Sequence, residues 1–106
     1  MYRGVYYGCM KLSDEAQLIL TSLASGPKHG YAIAQDVETF AGRRLGPGTL
    51  YGAIARLESS GHIEALPGDA RRRPYRITAL GRGVLASDAE EAHRLASTAR
   101  RRLAAR

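Results

Sequence analysis

Leu45 to Thr78 reads L-G-P-G-T-L-Y-G-A-I-A-R-L-E-S-S-G-H-I-E-A-L-P-G-D-A-R-R-R-P-Y-R-I-T, a compact helix directly before a short hairpin tipped by Arg71, Arg72 and Arg73. Pro47 suits the first helical turn, because its missing amide hydrogen would have no intrahelical partner there. Leu50, Ile54 and Leu57 fall on one side of the helix, which must face the core. Gly61 closes it, since a residue without a Cβ tolerates the left-handed conformation common just past a helix end. His62 to Leu66 and Tyr75 to Thr78 alternate apolar with polar residues on either side of Pro67-Gly68-Asp69, the pattern of a hairpin. A rod beside a basic finger suits a groove flanked by phosphates, so duplex DNA is the first partner to consider.

Upstream, Ser13 with Asp14, Glu15 and Gln17 marks a helix start, where a hydroxyl caps free amides and carboxylates favour the positive end of the dipole. Ala16, Ile19, Leu20 and Leu23 repeat at helical spacing until Gly26-Pro27, so the first helix spans about Asp14 to Ala24. Ile33, Val37 and Phe40 give a second amphipathic helix from about Gly30 to Ala41, ended by Gly42, with Phe40 expected in the core. Downstream, Thr78 caps a last helix that starts near Ala79 and runs toward the C-terminus. Residues 1–11 are an N-terminal extension, either disordered or an element whose Tyr2, Tyr6 and Tyr7 pack on the domain or on a second subunit.

The chain of 106 residues has the length of one domain, and 44% apolar content suffices for one modest core. Its formal charge of +6 favours an anionic partner, and the charge is focused at Arg71 to Arg73 with Arg76, and at Arg100 to Arg102 with Arg106. Cys9 is the only cysteine, so no internal disulfide forms and a reducing cytoplasm is the natural compartment. His29, His62 and His93 lie in no ligand-like repeat, so neither a metal nor a cofactor is expected. No apolar run approaches the ~20 residues that span a bilayer, so no membrane is expected as partner. The serines have no evident paired base and acid, and no glycine-rich phosphate loop appears, so no catalytic residue is assigned and an enzyme is not expected.

Three helices, a hairpin and a final helix in this order make a mainly α fold with a small β-hairpin, a winged helix-turn-helix plus a C-terminal helix. G-P-K-H-G-Y-A-I at 26–33, P-G-T-L-Y at 47–51, R-L-E-S-S-G-H-I at 56–63 and R-R-R-P-Y-R-I-T-A-L-G at 71–81 resemble the PadR family of bacterial transcriptional regulators. The resemblance runs from about Leu12 through Leu85, and the short remainder is similar to the smaller subgroup that ends in a single dimerisation helix. It implies a winged helix-turn-helix DNA-binding domain over 12–78, a dimerisation helix over 79–106, and a homodimeric repressor on a palindromic operator. Release by a small aromatic ligand at or near the dimer interface is also implied. Tyr2, Tyr6 and Tyr7 would line such a pocket if the extension folds over that interface.

With Leu50, Ile54 and Leu57 inward and about 100° per residue, Gly48, Gly52, Ala55, Arg56 and Ser59 point outward, flanked by Thr49 and Tyr51. This small surface lets the helix approach base edges while Thr49, Tyr51 and Arg56 supply polar contacts, and Gly52 disfavours the helix by up to ~1 kcal/mol relative to alanine. Arg71, Arg72 and Arg73 repel one another, and phosphates relieve that repulsion. His29 either caps the second helix or meets DNA. Tyr31 is expected to pack on the body with its hydroxyl at the surface, and Lys28 is the simpler phosphate contact. Arg43 and Arg44 either reach the DNA backbone or belong to a solvated loop.

In the last helix, Leu80 to Leu85 is expected to fold onto its own domain; the resemblance implies that Ala92, Leu95, Ala96, Ala99 and Leu103 form a thin dimer seam, the alternative being one amphipathic helix folded wholly onto its own domain. Arg100 to Arg102 read as a frayed tail, a favourable helix-end charge or a further DNA contact. The competing reading is a winged-helix protein-interaction module without direct DNA readout. The arginine-tipped hairpin counts against it.

Overall fold

The chain builds its fold helix by helix, each begun by a residue that suits free amides. The computed structural model describes residues 12–69 and 72–105. The N-terminal extension with its tyrosines, Cys9, the wing residue Arg71 and Arg106 lie outside the described residues. Helix α1 (Asp14–Ala24) starts at Ser13, whose Oγ accepts from the Ala16 amide at 3.2 Å, with Asp14 and Glu15 in its first turn. Helix α2 (Gly30–Ala41) starts at His29, whose Nδ1 accepts from the Ala32 amide, and stops at Gly42 with φ 67°. Helix α3 (Pro47–Ser59) starts on Pro47 without a side-chain cap, and Gly61 behind it takes φ 83°.

Ile19, Leu20 and Leu23 of α1, Ile33 and Val37 of α2, and Leu50, Ala53, Ile54 and Leu57 of α3 meet in one core. Ala53 joins the three residues expected of α3. Ser22, buried inside this helical layer, donates to Asp36 Oδ2 at 2.8 Å and ties α1 to α2 across the interior.

Strand β1 (Lys28–His29), β2 (Ile63–Ala65) and β3 (Pro74–Ile77) form an antiparallel sheet in the order β1-β3-β2. Ile63 faces Ile77 and Ala65 faces Tyr75, so the expected hairpin forms, with Ile63 and Ile77 completing the core. Strand β1 has no counterpart in the sequence reading, because two residues carry no alternation; it exists only through the pairing of Lys28 with Tyr75 and His29 with Pro74. This pairing holds the α1–α2 turn against the root of the wing.

Helix α4 (Ala79–Ala104) is capped by Thr78, whose Oγ1 accepts from the Gly81 amide at 3.1 Å while donating to the Gly61 carbonyl at 2.7 Å. Its first turn lies directly beside the start of β2: a Cβ at Gly81 would collide with the His62 carbonyl oxygen and stand 2.9 Å from Ile77 Cγ1. Leu85 packs on the core, but Leu80, expected to fold inward, is 55% exposed. Beyond that point the helix leaves its own domain, which stretches the molecule to 57 Å. Phe40 is also corrected from core to surface, because Val37 is the last α2 position over the core and the helix overhangs it by a turn.

Candidate nucleic-acid interface

The N-terminal half of α3 offers a face almost without side chains. Gly48 and Gly52 both have negative φ, so no backbone strain calls for glycine. A Cβ at Gly48 would meet nothing within 4 Å, and one at Gly52 would touch only Arg56 Nη1, at 3.5 Å. Packing among the described residues therefore gives no reason for either glycine, although each costs helix stability. Arg56 runs back over Gly52 toward the start of the helix, as long helical side chains do. Thr49 and Tyr51 stand exposed at the flanks.

Tyr51 joins two motifs that are far apart in sequence. Its ring lies on Gly30 at the start of α2: a Cβ there would stand 2.7 Å from Tyr51 Cε1 and Cζ and closer still to the hydroxyl oxygen. The glycine of H-G-Y is thus the seat of the tyrosine of P-G-T-L-Y. Both blocks are visible in the sequence, but only their packing reveals the link. Tyr51 in turn lies within electrostatic reach of Tyr75 on β3. Burial raises the Tyr75 hydroxyl pKa above its ordinary value, Glu58 raises it further, Arg73 opposes, and Tyr51 adds a smaller upward push. Tyr75, on the wing strand β3, therefore lies near Glu58 and Tyr51 of α3.

In the wing, the Arg72 amide donates to Asp69 Oδ1 at 2.8 Å, and the Arg72 and Arg73 side chains stand exposed. Ion pairing separates the arginines into two groups. Arg43 pairs with Glu15 at 4.0 Å, Arg44 with Glu38 at 3.6 Å, Arg76 with Glu64 across the hairpin, and Arg94 with Glu90 at 3.6 Å. Arg56, Arg72 and Arg73, and in α4 also Arg82 and Arg100 to Arg102, pair with no carboxylate among the described residues.

Two residues expected at the interface have other work. The Lys28 ammonium donates to the Ser22 carbonyl at 2.5 Å and to Ser25 Oγ at 2.8 Å, supplying the positive charge that the last turn of α1 lacks. His29 acts as the α2 cap, which requires a bare Nδ1 and a proton on Nε2. Tyr31 does not pack on the body; it is 67% exposed, with its hydroxyl accepting from Gln35 Nε2 at 3.3 Å. Among the described residues no group of three or more His, Cys, Asp or Glu could hold a metal ion, and no helix is long and apolar enough to cross a membrane.

The model of the PadR-like family of transcriptional regulators matches residues 19–87. The chain is 45% identical over 86 residues to an uncharacterized 37.1 kDa protein in transposon TN4556 of Streptomyces fradiae, covering 81% of this chain and 25% of that protein. It thus spans a quarter of that relative's length. It is 38% identical over 81 residues to the transcriptional regulator Rv3488 of Mycobacterium tuberculosis, covering 74% of this chain and 75% of that one. A PadR family transcription regulator from Clostridium difficile R20291 superposes with a TM-score of 0.76 at 26% identity, over 86% of this chain and 99% of the other. With its winged helix, its bare α3 face and a family match across most of its length, the chain belongs to the PadR-like family of transcriptional regulators.

Proposed function

We propose that this chain is a sequence-specific repressor that binds a palindromic operator as a homodimer and is released by a small molecule. Residues 12–78 read DNA and residues 79–106 pair two copies. The observation that carries the reading is the side-chain-free face of α3 beside Arg56, in a chain whose exposed wing arginines Arg72 and Arg73, like Arg56, pair with no carboxylate among the described residues.

In this reading α3 enters the major groove, with Gly48 and Gly52 allowing its backbone close to the bases and Thr49, Tyr51 and Arg56 making polar contacts. Arg71, Arg72 and Arg73 meet phosphates or the neighbouring minor groove. His29 and Tyr31 flank the site at the α2 N-terminus, where free amides also favour a phosphate. Two-fold symmetry then dictates inverted half-sites about one helical turn apart. Release by a small molecule rests on the family resemblance.

The test is operator binding followed by fluorescence anisotropy across a salt series. Replacing Arg72 and Arg73 with alanine is expected to weaken binding to every sequence and to lower the salt slope by about 0.9 for each phosphate no longer neutralised. Thr49→Ala or Tyr51→Phe is expected to change the preference among operators instead. Affinity independent of salt would exclude this mode of binding.

A further inference from the structure

The end of α3 and the start of α4 are held together by one residue, Thr78. Helix α3 finishes in a tight reversal: the Gly61 amide donates to the Glu58 carbonyl at 3.1 Å and the His62 amide to the Leu57 carbonyl at 2.9 Å, with Gly61 at φ 83°. Thr78 takes up the two carbonyls that follow. Its Oγ1 donates to the Gly61 carbonyl at 2.7 Å, and its amide donates to the His62 carbonyl at 3.0 Å. The same Oγ1 accepts from the Gly81 amide at 3.1 Å and so caps α4. A hydroxyl has one proton to give and lone pairs to receive with, and here both are in use on two different helices.

The surrounding contacts make the joint close. The first turn of α4 lies against the His62 carbonyl, where Gly81 leaves no Cβ in the way, and Leu80 Cδ2 stands 3.8 Å from where a Cβ on Gly61 would be. Further along, Leu85 packs on the core, and beyond it α4 leaves the domain. An apolar contact such as that of Leu85 is non-directional and tolerates tilt, whereas hydrogen bonds weaken steeply as they bend. The direction of α4 is therefore set at Thr78. Its length magnifies any error there. Leu95 lies about 24 Å along the axis from the first turn, so a tilt of about 10° at the base moves it by about 4 Å, more than the ~3.4 Å rise of one base pair.

We propose that Thr78 is the positioning residue that sets the spacing between the two operator half-sites, by fixing the angle between the helix that enters the groove and the helix that joins the two copies. This rests on the DNA-binding homodimer proposed above and adds to it the determinant of spacing. With the Thr78 link in place, the two α3 helices of a dimer stand at one separation, and only half-sites at that separation engage both copies. Without the link each α4 tilts about Leu85, several separations are reached, and the effective concentration of the second domain at the best one falls. Thr78 acts through α3 and α4 and touches no base itself.

The probe is a duplex selected from a random pool by the full-length protein, rebuilt with its half-sites moved nearer or farther in single base-pair steps, and also as a lone half-site. Thr78→Asp keeps the cap, since a carboxylate accepts from the Gly81 amide as a hydroxyl does, but it has no proton for the Gly61 carbonyl. Thr78→Ser keeps both bonds. Fluorescence anisotropy is expected to show the native protein and Thr78→Ser losing roughly tenfold or more in affinity on a two-base-pair shift, and Thr78→Asp losing less than about threefold. At the native spacing Thr78→Asp is expected to bind several-fold more weakly than the native protein, with the same affinity for the lone half-site and the same helical circular dichroism.

A Thr78→Asp variant as selective for spacing as the native chain overturns the inference while leaving the operator reading in place. So does a loss on the lone half-site equal to the loss on the full site, because Thr78 would then only support the domain. A native protein that selects no inverted repeat overturns the operator reading, and the role of Thr78 falls with it.

Discussion

Two glycines show how much a single missing methyl group can mean in this chain. At Gly81 a Cβ would run into the backbone carbonyl of His62, which is held in place by the Thr78 amide, so no small movement relieves the clash. Gly81→Ala is expected to cost about 2–4 kcal/mol or to prevent folding, read from a denaturant titration. At Gly30 the obstacle is the far end of the Tyr51 side chain, which is half exposed and free to swing. Gly30→Ala is therefore expected to cost less than about 1 kcal/mol of stability while displacing Tyr51 and weakening operator binding by roughly tenfold. Tyr75 adds a pH effect with a definite sign. Its raised pKa means that the folded state holds the phenolic proton more tightly than the unfolded state does. That stabilisation is complete below the unfolded value near 10 and is lost as pH rises through the higher folded value. Melting temperatures between about pH 8 and 11 are expected to fall less steeply for Tyr75→Phe than for the native chain.

Among the elements, α3 carries two glycines that packing among the described residues does not call for. Gly48 sits in its first turn with open space where a side chain would be, and alanine there would favour the helix. Gly48→Ala is expected to raise stability by about 0.5 kcal/mol and at the same time to weaken operator binding. A variant that is both more stable and as tight on DNA would show that nothing needs to approach this face. The bounds of α1, α2 and α3 are legible in the sequence because caps, apolar spacing and terminal glycines are local signals. Strand β1 is not, since a two-residue strand is defined by its partner and not by its own residues. Lys28 is illegible for a related reason: a lysine near a helix end looks the same in sequence whether its ammonium points out to solvent or back onto the Ser22 carbonyl.

At the scale of the whole molecule, α4 is a long lever with only its base in the domain. Its 26 residues span about 39 Å, and Leu95 and Leu103 are 72% and 84% exposed. Ala92, Leu95, Ala96, Ala99 and Leu103 fall on one stripe, left open for the second copy that the proposed function calls for. Replacing Leu95 and Leu103 with glutamate is expected to convert the dimer to a monomer in sedimentation velocity, with unchanged helical circular dichroism, because neither residue supports its own domain. Operator affinity is expected to fall with it, as the two half-sites are then bound independently. A variant that still sediments as a dimer would remove this stripe from the interface.

The sequence by itself determined the order and extent of the helices, the hairpin, the basic wing and the family, because periodicity, capping and motif spacing are properties of neighbouring residues. Only the tertiary structure decided which charges are free. Arg43, Arg44, Arg76 and Lys28 find partners in the folded chain, while Arg56, Arg72 and Arg73, with Arg82 and Arg100 to Arg102 of α4, find no carboxylate among the described residues. It also decided that Gly30 seats Tyr51, that Phe40 lies outside the core, and that α4 leaves its domain. Gly30 against Tyr51 and Arg43 against Glu15 depend on residues remote along the chain, and even the nearer pairs of Lys28 and Arg44 depend on which way the chain turns, which no local pattern encodes.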